Sequence, residues 1–219
     1  MKLSVIIVAA GSSQRMGFDK LLAKLAGKPV LQHSIETFAE HPDVSEIIVV
    51  CPQGRFNALQ LDHNKALVTR VDGGQDRHDS VAAGLSHLSS ATKLVAVHDG
   101  ARPLITEKQI SKVLASALEH NAATSARPVT ETIKRVSTEG FVTESVSRDR
   151  LWLMETPQIF KAELLQKAYN LVQQNNQRVT DEVSAMELIH CKTYVVANEQ
   201  ANPKITYPED IPLAERIVS

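Results

Sequence analysis

Val5-Ile6-Ile7-Val8-Ala9 runs straight into Ala10-Gly11-Ser12-Ser13-Gln14-Arg15-Met16-Gly17-Phe18-Asp19-Lys20. An unbroken apolar run of this length, with no polar alternation, describes a strand covered on both faces, and such strands belong to parallel sheets flanked by helices. Ile47-Ile48-Val49-Val50-Cys51 and Leu94-Val95-Ala96-Val97 have the same character, and Ala66-Leu67-Val68-Thr69-Arg70-Val71 is a shorter strand-like stretch. Helical patterns separate them. Behind Thr106-x-x-Gln109, which has the spacing of a capping box, Ile110, Val113, Leu114, Ala117 and Leu118 recur on one helical face. Leu164, Leu165, Ala168, Leu171 and Val172 form a second stripe, from about residue 162 to 172, and Val81, Leu85 and Leu88 a third. Strand and helix in alternation predict crossover units, and hence a layered α/β fold on a mainly parallel sheet.

One segment breaks this rhythm. Between about Arg127 and Ser147 two β-prone stretches, Pro128 to Val136 and Phe141 to Val146, flank Ser137-Thr138-Glu139-Gly140. A hairpin is expected, with Gly140 supplying the unusual backbone angle. It has little apolar content of its own to bury, so it reads as a protruding arm at 127–147 on a single domain spanning 1–219. At 219 residues and 43% hydrophobic the chain can fill one substantial core. Lys+Arg 24 against Asp+Glu 25 leaves a net charge of −1, which points to no nucleic-acid track and no acidic membrane surface. The first apolar run is too short to span a bilayer and lacks a signal peptide's layout. Cys51 and Cys191 stand far apart with no ligand-like neighbours, so both are expected as buried thiols in a reducing cytoplasm.

In a parallel α/β sheet, ligands gather at the loops leaving the carboxyl ends of strands. The loop after Ala9 is neither a dinucleotide fingerprint, since Ser13 and Met16 occupy its second and third glycine positions, nor a P-loop, since no Gly-Lys-Ser/Thr closes it. Its small residues let backbone N–H groups approach a nucleotide closely, and Arg15 and Lys20 can neutralise its phosphates. Alone, it is equally a Gly/Ser turn with two solvated charges. Five further segments follow in order: Asp72-Gly73-Gly74-x-x-Arg77-x-x-Ser80-Val81, His98-Asp99-Gly100-Ala101-Arg102-Pro103, Arg148-x-x-Leu151-Trp152, Thr156-Pro157-Gln158 and Thr180-Asp181-Glu182. With Ala9-Ala10-Gly11-x-x-x-Arg15-Met16 they resemble, in order and spacing from residue 4 to about 215, the methylerythritol phosphate cytidylyltransferase family.

The resemblance implies a Rossmann-like nucleotidyltransferase fold and attack by a phosphate monoester on the α-phosphorus of CTP, with pyrophosphate leaving. It implies that Arg15 and Lys20 contact the CTP phosphates, and that Ala9, Ala10, Gly11, Ser12, Gly74 and Ser80 surround the nucleotide. Arg102, Thr132, Arg148 and Lys204 would hold the polyol phosphate, with Thr132 carried by the hairpin into the site of a neighbouring subunit in a homodimer. Asp99, at the end of its apolar run, would bind Mg²⁺, a hard ion that needs few protein oxygens. From the residues themselves, Asp99 is equally a cap for the next turn, His98 a packed core histidine, and Arg77 with Asp79 a charge pair at a helix start. Asp19-Lys20 stands where many relatives have Pro-Lys, and Ala201 where relatives carry an acidic residue. Ribitol 5-phosphate as acceptor, and a catalytically inactive nucleotide-binding protein of the same fold, are the alternative readings.

Overall fold

The computed structural model describes residues 2–12, 16–61 and 66–218. The apolar runs became β1 (Leu3–Val8), β4 (Val44–Val50) and β6 (Leu94–Asp99), with β5 (Leu67–Val71) at one edge. They share a seven-stranded sheet with β7 (Ala122–Pro128), β10 (Trp152–Lys161) and β11 (Tyr194–Ala197), in the order β11-β7-β10-β6-β1-β4-β5. β1 runs parallel to β4 and β6, β4 to β5, and β11 to β7. Only β10, among these, runs antiparallel to both of its neighbours. A short antiparallel pair, β2 (Lys24–Leu25) with β3 (Lys28–Pro29), follows the first loop.

The unbroken apolar runs are explained by two cores, one on each face. Val5, Ile7, Ile47, Val49 and Ala96 point to one, where α1 (Val30–Glu40) and α4 (Glu107–His120) contribute Leu31, Ile35, Phe38, Ile110 and Val113. Ile6, Ile48, Val50, Val95 and Val97 point to the other, packed by α3 (Arg77–Leu85), α5 (Ala162–Gln174) and α6 (Glu182–Glu187) through Val81, Leu165, Val172 and Met186. Each fully buried Leu, Ile or Phe side chain contributes about 1.5–3 kcal/mol relative to exposure. The short α2 (Gln53–Asn57) follows β4, and α7 (Asp210–Val218) closes the chain.

Four local expectations are corrected. Thr106 Oγ1 does accept from Gln109 N at 3.3 Å, but the buried Gln109 side chain donates instead to Ser125 Oγ at 3.0 Å, so the capping box is half made. The third helix ends at Leu85, three residues before Leu88. Cys51 is buried, whereas Cys191, in the turn after α6, is only half-buried. The hairpin forms as β8 (Ile133–Val136) and β9 (Val142–Val146), with Gly140 at φ +91° in the turn, while Pro128 belongs to β7. Val136, Phe141 and Val142 face solvent, Phe141 being 74% exposed. Among the described residues no helix is long and apolar enough to cross a membrane.

Candidate active site

Strand order places β1 between β4 and β6, so successive crossovers leave β1 in opposite directions and a crevice opens where the order reverses. The ladders continue past the strands: Ala9 N donates to Val50 O at 2.9 Å, and Gly100 N to Val8 O at 3.0 Å. These bonds hold the first loop beside the turn after β6. The cleft has a volume of about 610 Å³, and its walls include Ala9, Ala10, Gly11, Ser12, Lys20, Gly74, Ser80, Asp99 and Lys204. Nine of the residues singled out in the sequence thus meet in one place. Arg102 touches the site without lining the cleft, whereas Thr132 and Arg148 are exposed, on the hairpin and at its exit. Arg148 donates to the carbonyl of Thr130. Arg15 and Ser13 lie outside the described residues.

Asp99, 7% exposed at the carboxyl end of β6, is the electrostatic centre. Lys204 Nζ lies 2.9 Å from Oδ2, Arg102 Nε 3.5 Å from the same oxygen, and Arg77 Nε 3.3 Å from Oδ1. Burial alone would raise the pKa of this carboxyl, but Arg77, Lys204 and Arg102 together hold it well below the usual carboxylate range. It is therefore an anion throughout the neutral range. Lys204 is brought here by the return of the chain: Ile205 N donates to Ala101 O at 2.9 Å, and Arg102 to Asn202 O at 2.9 Å. Lys20 Nζ donates to Ile205 O at 2.7 Å, which ties the first loop to that same segment. Arg102 Nε is buried without a hydrogen-bond partner, since its approach to Asp99 is too poorly aligned to count.

His98 is a buried core residue, as expected from the sequence. Its Nε2 donates to Arg102 O at 3.1 Å, its Nδ1 takes the Thr156 hydroxyl at 3.0 Å, and that hydroxyl accepts Asp99 N at 3.1 Å. Burial pushes the imidazole down to about 4, so it stays neutral and positions the Asp99 backbone.

On the opposite wall the two loops touch through glycine. A Cβ on Gly73 would meet Ala10 Cβ at 2.3 Å and Ser80 Oγ at 2.8 Å, a separation real side chains do not tolerate. Gly74 N donates to Ser80 Oγ at 3.3 Å. Asp79 caps the start of α3 by accepting Asp76 N at 2.9 Å, and Arg77 does not pair with it. Arg77 instead makes a two-pronged bond to fully buried Glu182, at 2.6 and 3.0 Å, while Tyr169 donates to Glu182 at 3.0 Å. Gln158 Oε1 receives Glu182 N and Val183 N at 3.1 and 3.2 Å, fixing the start of α6. Thr156 bonds Asp99 directly, while the rest of the Thr156-Pro157-Gln158 and Thr180-Asp181-Glu182 segments connects to it at a distance: Gln158 places Glu182, Glu182 holds Arg77, and Arg77 orients Asp99. Arg77 was missed as a site residue. The one signal was a cation at the first position of α3, where the helix dipole disfavours it by up to about 1 kcal/mol, and that names no partner. Asp76 and Thr206, also in the cleft wall, carried no such signal.

A sequence profile of the family described as 2-C-methyl-D-erythritol 4-phosphate cytidylyltransferase matches residues 3–219. Among curated proteins, the chain is 40% identical to the 2-C-methyl-D-erythritol 4-phosphate cytidylyltransferase of Pseudoalteromonas atlantica, across 97% of this chain and 93% of that protein. It is 35% identical to the chloroplastic enzyme of that name from Oryza sativa subsp. japonica, across 99% and 74%. Among solved structures, it superposes on the 4-diphosphocytidyl-2C-methyl-D-erythritol synthase from Anaerococcus prevotii with a TM-score of 0.87 at 28% identity, covering 99% and 96% of the two chains. The 2-C-methyl-D-erythritol 4-phosphate cytidylyltransferase of Francisella tularensis gives 0.86 at 30%, covering 99% of each. These similarities extend over the whole length, so they concern the complete architecture and not one shared motif.

Proposed function

The chain belongs to the 2-C-methyl-D-erythritol 4-phosphate cytidylyltransferase family, and on that premise we propose that its cleft carries a cytidylyl group from CTP to 2-C-methyl-D-erythritol 4-phosphate, releasing pyrophosphate. The observation that carries this reading is the meeting, around Asp99, of the amide-bearing loop 9–12, Lys20, the 74–80 segment and Lys204. A phosphate monoester with a second pKa of about 6 is already a dianion at neutral pH, so no general base is required. What the reaction needs is positioning of two polyanions and fixed positive charge around the α-phosphorus.

Backbone groups of Ala9 to Ser12, with Gly74 and Ser80, hold the nucleoside and its phosphates. Lys20 exchanges the Ile205 carbonyl for a phosphate oxygen, and Arg15 supplies a second cation from the same loop. Lys204 and Arg102 take the phosphate of the polyol, and the partnerless Nε of Arg102 is a buried donor suited to an anion. The site also fits Mg²⁺. Asp99 offers a hard, ionised carboxylate oxygen in the cleft, and Mg²⁺ takes most of its remaining ligands from phosphates and water. When bound, the ion would neutralise triphosphate charge and polarise the α-phosphorus. Lys204 and Arg102, both beside Asp99 Oδ2, would turn to the incoming phosphate and so leave that oxygen available.

The exposed hairpin, with Thr132 at its base and Phe141 at its tip, supports a homodimer in which each arm reaches the neighbouring subunit's cleft. A cytoplasmic location accords with two unpaired thiols. The test is a pyrophosphate-release assay crossing the four NTPs with methylerythritol phosphate and ribitol 5-phosphate, each with and without EDTA. Turnover with CTP and methylerythritol phosphate alone, abolished by EDTA, is expected. Preference for ribitol 5-phosphate would reassign the acceptor, and absence of turnover would overturn the enzymatic reading.

A further inference from the structure

Arg55 does not line the cleft, yet its guanidinium is spent on the cleft's first loop. Its side chain, 7% exposed, donates to the carbonyls of Ala9 and Gly11, the latter at 3.1 Å, and its Nε donates to Asp19 Oδ2 at 2.8 Å. Asp19 is itself engaged on every side: Oδ1 accepts Leu21 N at 3.0 Å, and its carbonyl accepts Leu22 N and Ala23 N at 3.1 Å each. The turn that carries Lys20 is thus tied through Asp19 to the same guanidinium that grips residues 9 and 11. The chain between these two shores passes through residues 13–15, which lie outside the described region.

Peptide geometry gives this grip a direction. In a planar trans peptide the C=O and the following N–H point to opposite sides. With the Ala9 and Gly11 carbonyls turned to Arg55, the amides of Ala10 and Ser12 are turned away from it, and both residues line the cleft. A buried guanidinium is costly unless its donors are used, and a planar fork uses them only in one arrangement of acceptors. An apolar side chain could fill the same space, but it could not choose which way those peptides face.

We propose that Arg55, held by Asp19, is a positioning residue that sets the peptide orientation of the nucleotide loop, presenting the Ala10 and Ser12 amides to the CTP phosphates and keeping Lys20 in register with them. This rests on the assignment of loop 9–12 to CTP. The amides are then oriented before the ligand arrives, and binding does not have to reorganise them.

The experiment measures pyrophosphate release by the full-length protein while CTP and methylerythritol phosphate are titrated separately, with a thermal melt of each variant. Arg55→Lys retains the charge but not the fork, and is expected to raise the KM for CTP about tenfold or more, the loss usual for hydrogen bonds to a charged group. The KM for methylerythritol phosphate should stay at the wild-type value. Asp19→Asn should shift the KM for CTP in the same direction by a smaller factor, and Arg55→Ala by a larger one. If Arg55→Ala does not fold, the other two variants decide. A wild-type KM for CTP in folded Arg55→Lys and Asp19→Asn would overturn the proposal, as would equal losses for both substrates that follow the fraction of protein unfolded. Lys20→Ala separates this from failure of the site assignment. If Lys20→Ala is crippled while the Arg55 variants behave as wild type, the positioning role alone is wrong, and if Lys20→Ala is also normal, the nucleotide does not use this loop.

Discussion

Lys20 donates to the Ile205 carbonyl, which holds its ammonium at the wall of the cleft. Its value lies in charge that develops only as the α-phosphorus is attacked, and a preorganised cation acts most strongly on such charge. Lys20→Ala is expected to lower kcat about a hundredfold while changing CTP affinity far less, as single-turnover and equilibrium-binding measurements would show. Unchanged turnover would remove Lys20 from the mechanism. The two thiols make a second prediction at this scale. Burial pushes the Cys51 thiol up to about 11, and it also raises Cys191, which is only half-buried. A thiol whose pKa is raised has less thiolate at any pH below it, so both react slowly at pH 8 and more quickly as pH rises. Alkylation followed by mass spectrometry should label Cys191 first, and Cys51 only at the rate of global opening. Labelling of Cys51 at the rate of Cys191 would contradict its burial.

At the scale of elements, the cleft is kept in shape by pairs that join helix starts to strand ends. Arg77 at the start of α3 and Glu182 at the start of α6 form a bidentate pair whose acidic member is fully buried and whose basic member is 26% exposed. Removing the charge from Glu182 leaves Arg77 poorly compensated against Asp99 alone. Glu182→Gln is therefore expected to cost about 2–3 kcal/mol, the lower part of the range for breaking a buried pair because Arg77 keeps some solvent. Urea unfolding would show this as a lower midpoint at unchanged slope. The same variant should lose turnover, since Arg77 then orients Asp99 less well. An unfolding free energy within about 0.5 kcal/mol of wild type would mean that the Tyr169–Glu182–Arg77 chain is incidental.

At the scale of the whole molecule, the described chain builds one half of the expected acceptor site and leaves the other outside. Lys204 and Arg102 meet at Asp99, while Thr132 and Arg148 stand on an exposed hairpin whose Phe141 and Val142 are 74% and 63% exposed. Apolar residues on a two-stranded arm with open edges call for a partner surface. If that partner is a second copy, Thr132 of one subunit serves the cleft around Lys20 of the other. A Thr132→Ala chain and a Lys20→Ala chain, each strongly impaired alone, should then complement when mixed. Half the dimers are mixed under random exchange and each has one intact site, so activity should recover to about a quarter of wild type. No recovery would place both residues in the same chain's site, and a fully active monomer in sedimentation experiments would exclude the shared site.

The apolar runs at 5–9, 47–51 and 94–97 were sufficient by themselves to specify a parallel sheet covered on both faces, because burial on two sides leaves no room for polar alternation. The hairpin was equally legible, since Gly140 and its flanking β-prone residues act locally. Gly11, Lys20, Gly74, Ser80, Asp99 and Lys204 became candidates through the family resemblance, because by themselves the first loop reads equally as a Gly/Ser turn and Asp99 equally as a cap. What those residues touch was decided only by the fold. Arg77 pairs with Glu182 across 105 positions, and Arg55 reaches Asp19 across 36 and the Ala9 carbonyl across 46. No local pattern encodes such contacts: a guanidinium's partners here include backbone carbonyls, which every residue carries, and their direction exists only once the loop has closed onto the sheet.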